Sequence, residues 1–200
     1  MKKLLYILLF APLALVGQDN YSLSFDGVDD YIDLGVNEPL FSNSFVISAI
    51  INPRSFTSNF SCIASSWNNS SNKSWWYGLS NYLTHNRTLH FGSNSDDIYW
   101  SNNDIFEYNT WLYYSVVRNG NQLKSYLNGQ LIDSDDNFFT DNNSYSAEKL
   151  LIGAKSNGTD DFFKGDIYNL QIWDTVLSEQ EIEHYMNCLP VGEEEGLVGY

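Results

Sequence analysis

Basic residues are scarce: 10 Lys and Arg stand against 25 Asp and Glu in 200 residues, a formal net charge of −15. A surface of that sign repels phosphate backbones and anionic headgroups, which excludes nucleic acid and anionic membrane surfaces as partners. Neutral sugars, cationic partners and calcium stay compatible. Cysteine is nearly absent too, and Cys62 and Cys188 lack the C-x-x-C spacing of thiolate metal centres and redox pairs. In an oxidising compartment these two can form a disulfide, with two separate thiols as the alternative. His85, His90 and His184 do not have the spacing of a metal triad, and no Gly-x-Ser-x-Gly elbow offers a serine nucleophile. The longest apolar run, Leu4 to Val16, is too short to span a bilayer.

Lys2 and Lys3 precede that run, so residues 1–17 read as an export signal with its cut near Gly17-Gln18. Residues 18–191 then make one domain, since 43% hydrophobic and 16% aromatic content supplies a core of ordinary size. From Tyr21 onward, short runs of Val, Ile, Tyr, Trp and Phe alternate with clusters of Asn, Ser, Asp and Gly. That punctuation predicts an all-β fold of ten short strands, a two-sheet antiparallel jelly-roll sandwich. Asn119-Gly120 and Asn128-Gly129 supply the positive φ that tight hairpins need and bracket one of the strands. Ser178 with Glu181 three residues on predicts a capped, short, peripheral C-terminal helix. Residues 192–200 read as a linker followed by the start of a strand, Leu197 to Tyr200, that opens a further repeat and has no partner in this domain.

The segment Ser22 to Ile32, with Ser24-Phe25-Asp26-Gly27 at its centre, resembles the opening of laminin-G-like jelly rolls of the concanavalin A-like superfamily. Phe45 to Pro53, Trp111 to Asn119 and Leu151-Ile152-Gly153 follow in that family's order. The close, Phe163 to Asp174 followed by Val176 to Ile182, is similar to pentraxins as well. The likeness covers roughly residues 21–186, and Glu195 to Tyr200 resembles the start of another such repeat in large secreted bacterial proteins. This fold hosts glycosidases, lectins, adhesion modules and spacers, so function has to be read from sites.

Glycosidases of this fold carry two or three carboxylates at alternating positions of one strand, about 5 Å apart. No strand here has that pattern, and the acids sit in turns, so the expectation is a protein that is not an enzyme. Two of those turns, Asp26-Gly27-Val28-Asp29-Asp30 and Asn157-Gly158-Thr159-Asp160-Asp161, have the oxygen-rich composition that calcium takes. The second lies where the resemblance to pentraxins implies calcium ligands, although Lys155, Ser156 and Asn157 replace the acidic run expected there. The candidate metal residues are therefore Asp26, Asp29, Asp30, Asn157, Asp160 and Asp161, and calcium is the one cofactor the sequence suggests. Solvated turn acids are the alternative.

The two-residue strand period puts Trp75, Tyr77 and Leu79 on one face and Trp76 on the other. By the same rule Tyr113 lies opposite Leu112 and Tyr114, and Tyr126 opposite Leu123 and Leu127. If Trp76, Tyr113 and Tyr126 share an exposed concave face, they can stack on sugar rings; rings covered by each other or by a loop are the alternative. The expectation is a secreted carbohydrate-binding or adhesion module, calcium-assisted and non-catalytic, whose partner is a glycan or a cell surface and which stands in tandem with further domains. A structural spacer or protein-protein adhesion module is the competing class, and a glycoside hydrolase the least favoured.

Overall fold

The structure is a computed structural model that describes residues 21–36, 43–67, 74–93, 97–139, 149–155 and 158–200. Within them, two antiparallel sheets pack face to face. The first runs β1 (Leu23–Asp26), β12 (Lys164–Trp173), β3 (Ser44–Pro53), β8 (Leu112–Asn119), β9 (Gln122–Leu127), β10 (Gln130–Asp135). The second runs β2 (Ile32–Val36), β11 (Lys149–Ile152), β4 (Phe60–Ser66), β5 (Trp75–Tyr82), β6 (His85–Ser93), β7 (Asp97–Trp100). Chain neighbours thus fall in different sheets early and late, while β3, β8 and β9 and also β4 to β6 pair within one sheet. This is the expected two-sheet jelly roll.

Side-chain alternation explains the sandwich. Phe45, Ile47, Ala49 and Ile51 of β3 and Leu112, Tyr114 and Val116 of β8 meet Trp75, Tyr77, Leu79, Leu89 and Phe91 of the second sheet in one buried core. The Tyr77 hydroxyl donates to the Tyr114 carbonyl at 2.6 Å, and the two rings stack at 4.6 Å, which ties the sheets together at their centre. Asn128 and Gly129 both have positive φ, 51° and 79°, so β9 and β10 join through the tight turn that this pair favours.

The helix α1 (Glu179–Asn187) has the expected capping box: Ser178 Oγ accepts from the Glu181 N–H at 3.3 Å, and Glu181 Oε2 accepts from the Ser178 N–H at 2.7 Å. Its Ile182, with Leu177 ahead of it, packs on Val46, Tyr113, Val117, Tyr126 and Trp173 in a second cluster on the outer side of the first sheet. The helix is therefore a lid on that sheet.

Two strands were not expected, and a third was expected but without a partner in this domain. β7 and β10 are short edge strands, and β10 is mostly polar; it carries Asp133 and Asp135 at alternating, exposed positions, which corrects the expectation that the acids sit in turns and that no strand holds alternating carboxylates. The third, β13 (Leu197–Gly199), corrects the reading of residues 192–200 as a segment with no partner here. It pairs with β12 at Ile172↔Gly199 and Trp173↔Leu197, and Gly196 O accepts from the Asp174 N–H at 2.8 Å. Residues 1–17, the expected export signal, lie outside the described residues. No helix among the described residues is long and apolar enough to cross a membrane.

Candidate functional site

Strand phase places Trp76, Tyr113 and Tyr126 on the non-core sides of their strands, as expected, but not on one face. Tyr113 and Tyr126 belong to the first sheet and lie beneath α1 at 3% and 2% exposure. Trp76 belongs to the second sheet. The shared, exposed aromatic platform is therefore corrected: two of its rings are covered by a helix, and the third is on the opposite side of the sandwich.

Trp76 is itself 4% exposed, because its neighbours close over it. Its cross-strand partner is Gly92, whose missing side chain leaves room for the indole; a Cβ there would come within 2.8 Å of the ring. The indole then lies against the His90 ring at 3.7 Å, with Phe60 edge-on at 5.2 Å. Burial and the charges of Lys155 and His85 hold the His90 imidazole well below its ordinary range. Phe60 in turn stacks on Tyr82, 5.4 Å away, which is 37% exposed.

One cation organises this aromatic surface. The Lys155 Nζ lies 4.2 Å from the Trp67 ring centroid and 4.7 Å from that of Trp76, and 3.7 Å from Asp161 Oδ2. Indole faces attract an ammonium group at such distances. Asp161 also accepts from Ser58 Oγ at 3.2 Å, and its backbone carbonyl accepts from the Cys62 N–H at 2.7 Å, so the loop is pinned to β4. Burial pushes the Asp161 carboxyl above its ordinary range, against the pull of Lys155 and Ser58. The outer face of the second sheet thus sets aromatic rings beside one ammonium and one carboxylate. Trp67, Phe60 and Tyr82 were not singled out from sequence, and Lys155 was read only as a departure from an acidic ligand run; Trp67 stands one residue past β4 and Tyr82 at the end of β5, where alternation carries little information.

The two acidic turns separate. Asp26, Asp29 and Asp30 converge, each offering an oxygen within 4.8 Å of the others, all exposed. Asp26 Oδ1 accepts from the Val28 N–H at 2.7 Å, and Asp30 Oδ2 from the Asp26 N–H at 2.9 Å, so local backbone bonds hold the turn. In the second turn Asp161 is engaged by Lys155 and Asp160 bridges Lys155 through the backbone, while Asn157 lies outside the described residues. Of the two alternatives for the cysteines, the structure has the separate thiols and not the disulfide: Cys62 and Cys188 are both free. Cys62 is buried in β4 of the second sheet, where burial pushes its thiol up to about 12. Cys188 follows α1, which covers the first sheet, so a sandwich stands between them.

Comparison with known proteins agrees with this architecture. No curated protein matches the chain in sequence. In structure it is similar to a SAP-like pentraxin from Limulus polyphemus, at 17% identity over 90% of this chain and 88% of that one, TM-score 0.67. It is also similar to the carbohydrate-binding module of an IT-sialidase from Ruminococcus gnavus, seen with α2,3-sialyllactose (14%, 82% and 95%, TM-score 0.61). A third likeness is to domain 4 of the arabinanase AbnA from Geobacillus stearothermophilus, seen with arabinotriose (19%, 80% and 85%, TM-score 0.57). The concanavalin A-like lectin/glucanases family of laminin-G type matches residues 26–183, and the chain belongs to it.

Proposed function

We propose that this protein is an exported, non-catalytic carbohydrate-binding module that takes its glycan on the outer face of the second sheet. Helix α1 covers the equivalent face of the first sheet, which leaves the second as the sheet face with accessible rings. The observation that carries the reading is Lys155 held between Trp67 and Trp76 beside Asp161. A sugar ring needs an apolar platform for its C–H face and, next to it, a donor and an acceptor for neighbouring hydroxyls. Trp67 and the Phe60–Tyr82 pair supply the first, Lys155 and Asp161 the second. The sialidase module and the arabinanase domain, both seen with oligosaccharides, support the same class of ligand.

A glycan array probed with the wild-type protein and with Trp67→Ala and Lys155→Met tests this. Binding by wild type and a loss of about tenfold or more in each variant, with melting curves retained, is the expected result; one well-placed contact is worth about 1.4 kcal/mol per tenfold. A silent array would favour the adhesion module that recognises protein instead. Calcium enters through the convergence of Asp26, Asp29 and Asp30. If that turn holds the ion, millimolar Ca²⁺ raises the melting temperature, by about 2.7 kcal/mol of stability at a hundredfold excess over Kd, and Asp29→Ala removes the rise. No shift in wild type would dismiss the ion.

A further inference from the structure

A hollow of about 320 Å³ lies apart from the second-sheet face, between the loop that leads into β8 and the β9–β10 turn. Asp104, Glu107, Thr110, Trp111, Leu127 and Asn128 line it. Trp111 is 47% exposed, whereas Trp75, Trp76 and Trp173 are buried. An indole left in water at that extent is a platform without a cover.

The polar groups around it are held in place. Arg87 clamps both acids: its Nε and Nη2 donate to Asp104 Oδ1 at 3.0 and 2.7 Å, and its Nη1 to Glu107 Oε2 at 2.6 Å. Each carboxylate keeps a second oxygen, a strong acceptor for a hydroxyl. Across the hollow, Asn128 Oδ1 accepts from the Tyr113 N–H at 2.9 Å while the Asn128 N–H donates to the Tyr113 carbonyl at 2.8 Å, which fixes the direction of its amide NH₂. The Asn109 N–H, donating to the Pro53 carbonyl at 2.7 Å, anchors the loop just before Trp111. A platform flanked by fixed donors and acceptors binds with little ordering cost.

We infer that this hollow is a second saccharide site, for a neutral sugar, independent of the second-sheet face. Two carboxylates against one guanidinium leave a net charge of −1, which turns away sugars that carry acids. A quaternary ammonium is recognised by a cage of several rings, and among the described residues here Trp111 is the one accessible ring, the Phe106 ring beside it being buried. Among the described residues, the larger groove of about 630 Å³ along β1, β12 and β13 is lined by no charged side chain and by one amide, Asn169, so it lacks this orienting set.

NMR titration of the tryptophan indole N–H signals tests the inference, with arabinotriose, maltotetraose and cellotetraose as neutral probes and 3′-sialyllactose and tetramethylammonium as charged ones. The Trp111 signal, assigned by its loss in Trp111→Phe, is expected to shift saturably with at least one neutral probe and not with the charged ones. Glu107→Gln weakens that titration about fivefold or more, about 1 kcal/mol, and Trp67→Ala leaves it unchanged. A Trp111 signal that no neutral probe moves, or that tetramethylammonium alone moves, overturns the site. Loss of array binding in Trp67→Ala with the Trp111 titration intact, or the reverse, separates failure of one site from failure of the other.

Discussion

Trp75 and Trp76 are adjacent, and both are buried, at 1% and 4% exposure, yet they face opposite sides of the second sheet. Alternation along a strand assigned the sides but could not tell that Phe60, His90 and Lys155 close over Trp76. Because both rings fill enclosed space, Trp75→Ala and Trp76→Ala should each destabilise the fold, by about 3 to 5 kcal/mol on the usual scale for large aromatic truncations in a core. Chemical denaturation measures this, and a Trp76→Ala midpoint equal to wild type would return that ring to the solvent. His90 gives the fold a pH dependence. Its folded imidazole is held well below its ordinary value of 6.5, with desolvation the main cause, while the unfolded chain titrates normally. The unfolded state therefore binds the extra proton, and stability present above about pH 6.5 is lost as pH falls, by at most about 1.4 kcal/mol per unit. Asp161, raised from 3.8, acts in the opposite sense, but nearer the carboxylate range. The melting temperature should fall between about pH 7 and pH 5.5, and His90→Phe, which keeps a ring against Trp76, should flatten that slope. Equal slopes in the two proteins would remove His90 as the cause.

At the scale of elements, hairpins and caps are written locally and were readable: Asn128-Gly129 makes its turn, and Ser178 with Glu181 makes its box. β10 escaped notice because its exposed, acidic pattern resembles a loop, and only pairing with β9 turns it into a strand. β13 could be read as the start of a strand, but its partner could not. Three residues cannot hold an extended conformation alone, and the register against Ile172 and Trp173 exists only once β12 is in place. Leu197 also packs beside the cluster under α1. Deleting residues 197–200 should therefore lower the melting temperature, by about 2 to 8 °C for a loss of 1 to 2 kcal/mol in a domain of this size. Calorimetry that finds no change would show that the pairing contributes nothing to the stability of the domain.

For the whole molecule, a formal charge of −15 sets the long-range field, while the proposed glycan contacts are stacking and short hydrogen bonds. Salt screens the former and hardly touches the latter, since the screening length falls from about 30 Å at 0.01 M to 3 Å at 1 M. Affinity for a neutral glycan should change less than about twofold between roughly 20 and 500 mM salt. A loss of tenfold or more in affinity electrophoresis would show that the partner is cationic and favour the protein-adhesion class. By itself the sequence determined the all-β class, the strand phases and the local turns and cap, because each follows from neighbours a few residues apart, and the family, because several such local motifs follow in its order. Tertiary structure alone decided which outward faces are covered. α1 arrives from the far end of the chain to bury Tyr113 and Tyr126, and Lys155 is drawn from a distant loop to sit between Trp67 and Trp76. The two cysteines are set in different layers. A period of two tells a side chain which side of its sheet to take, and only the packing of remote segments settles whether that side meets water.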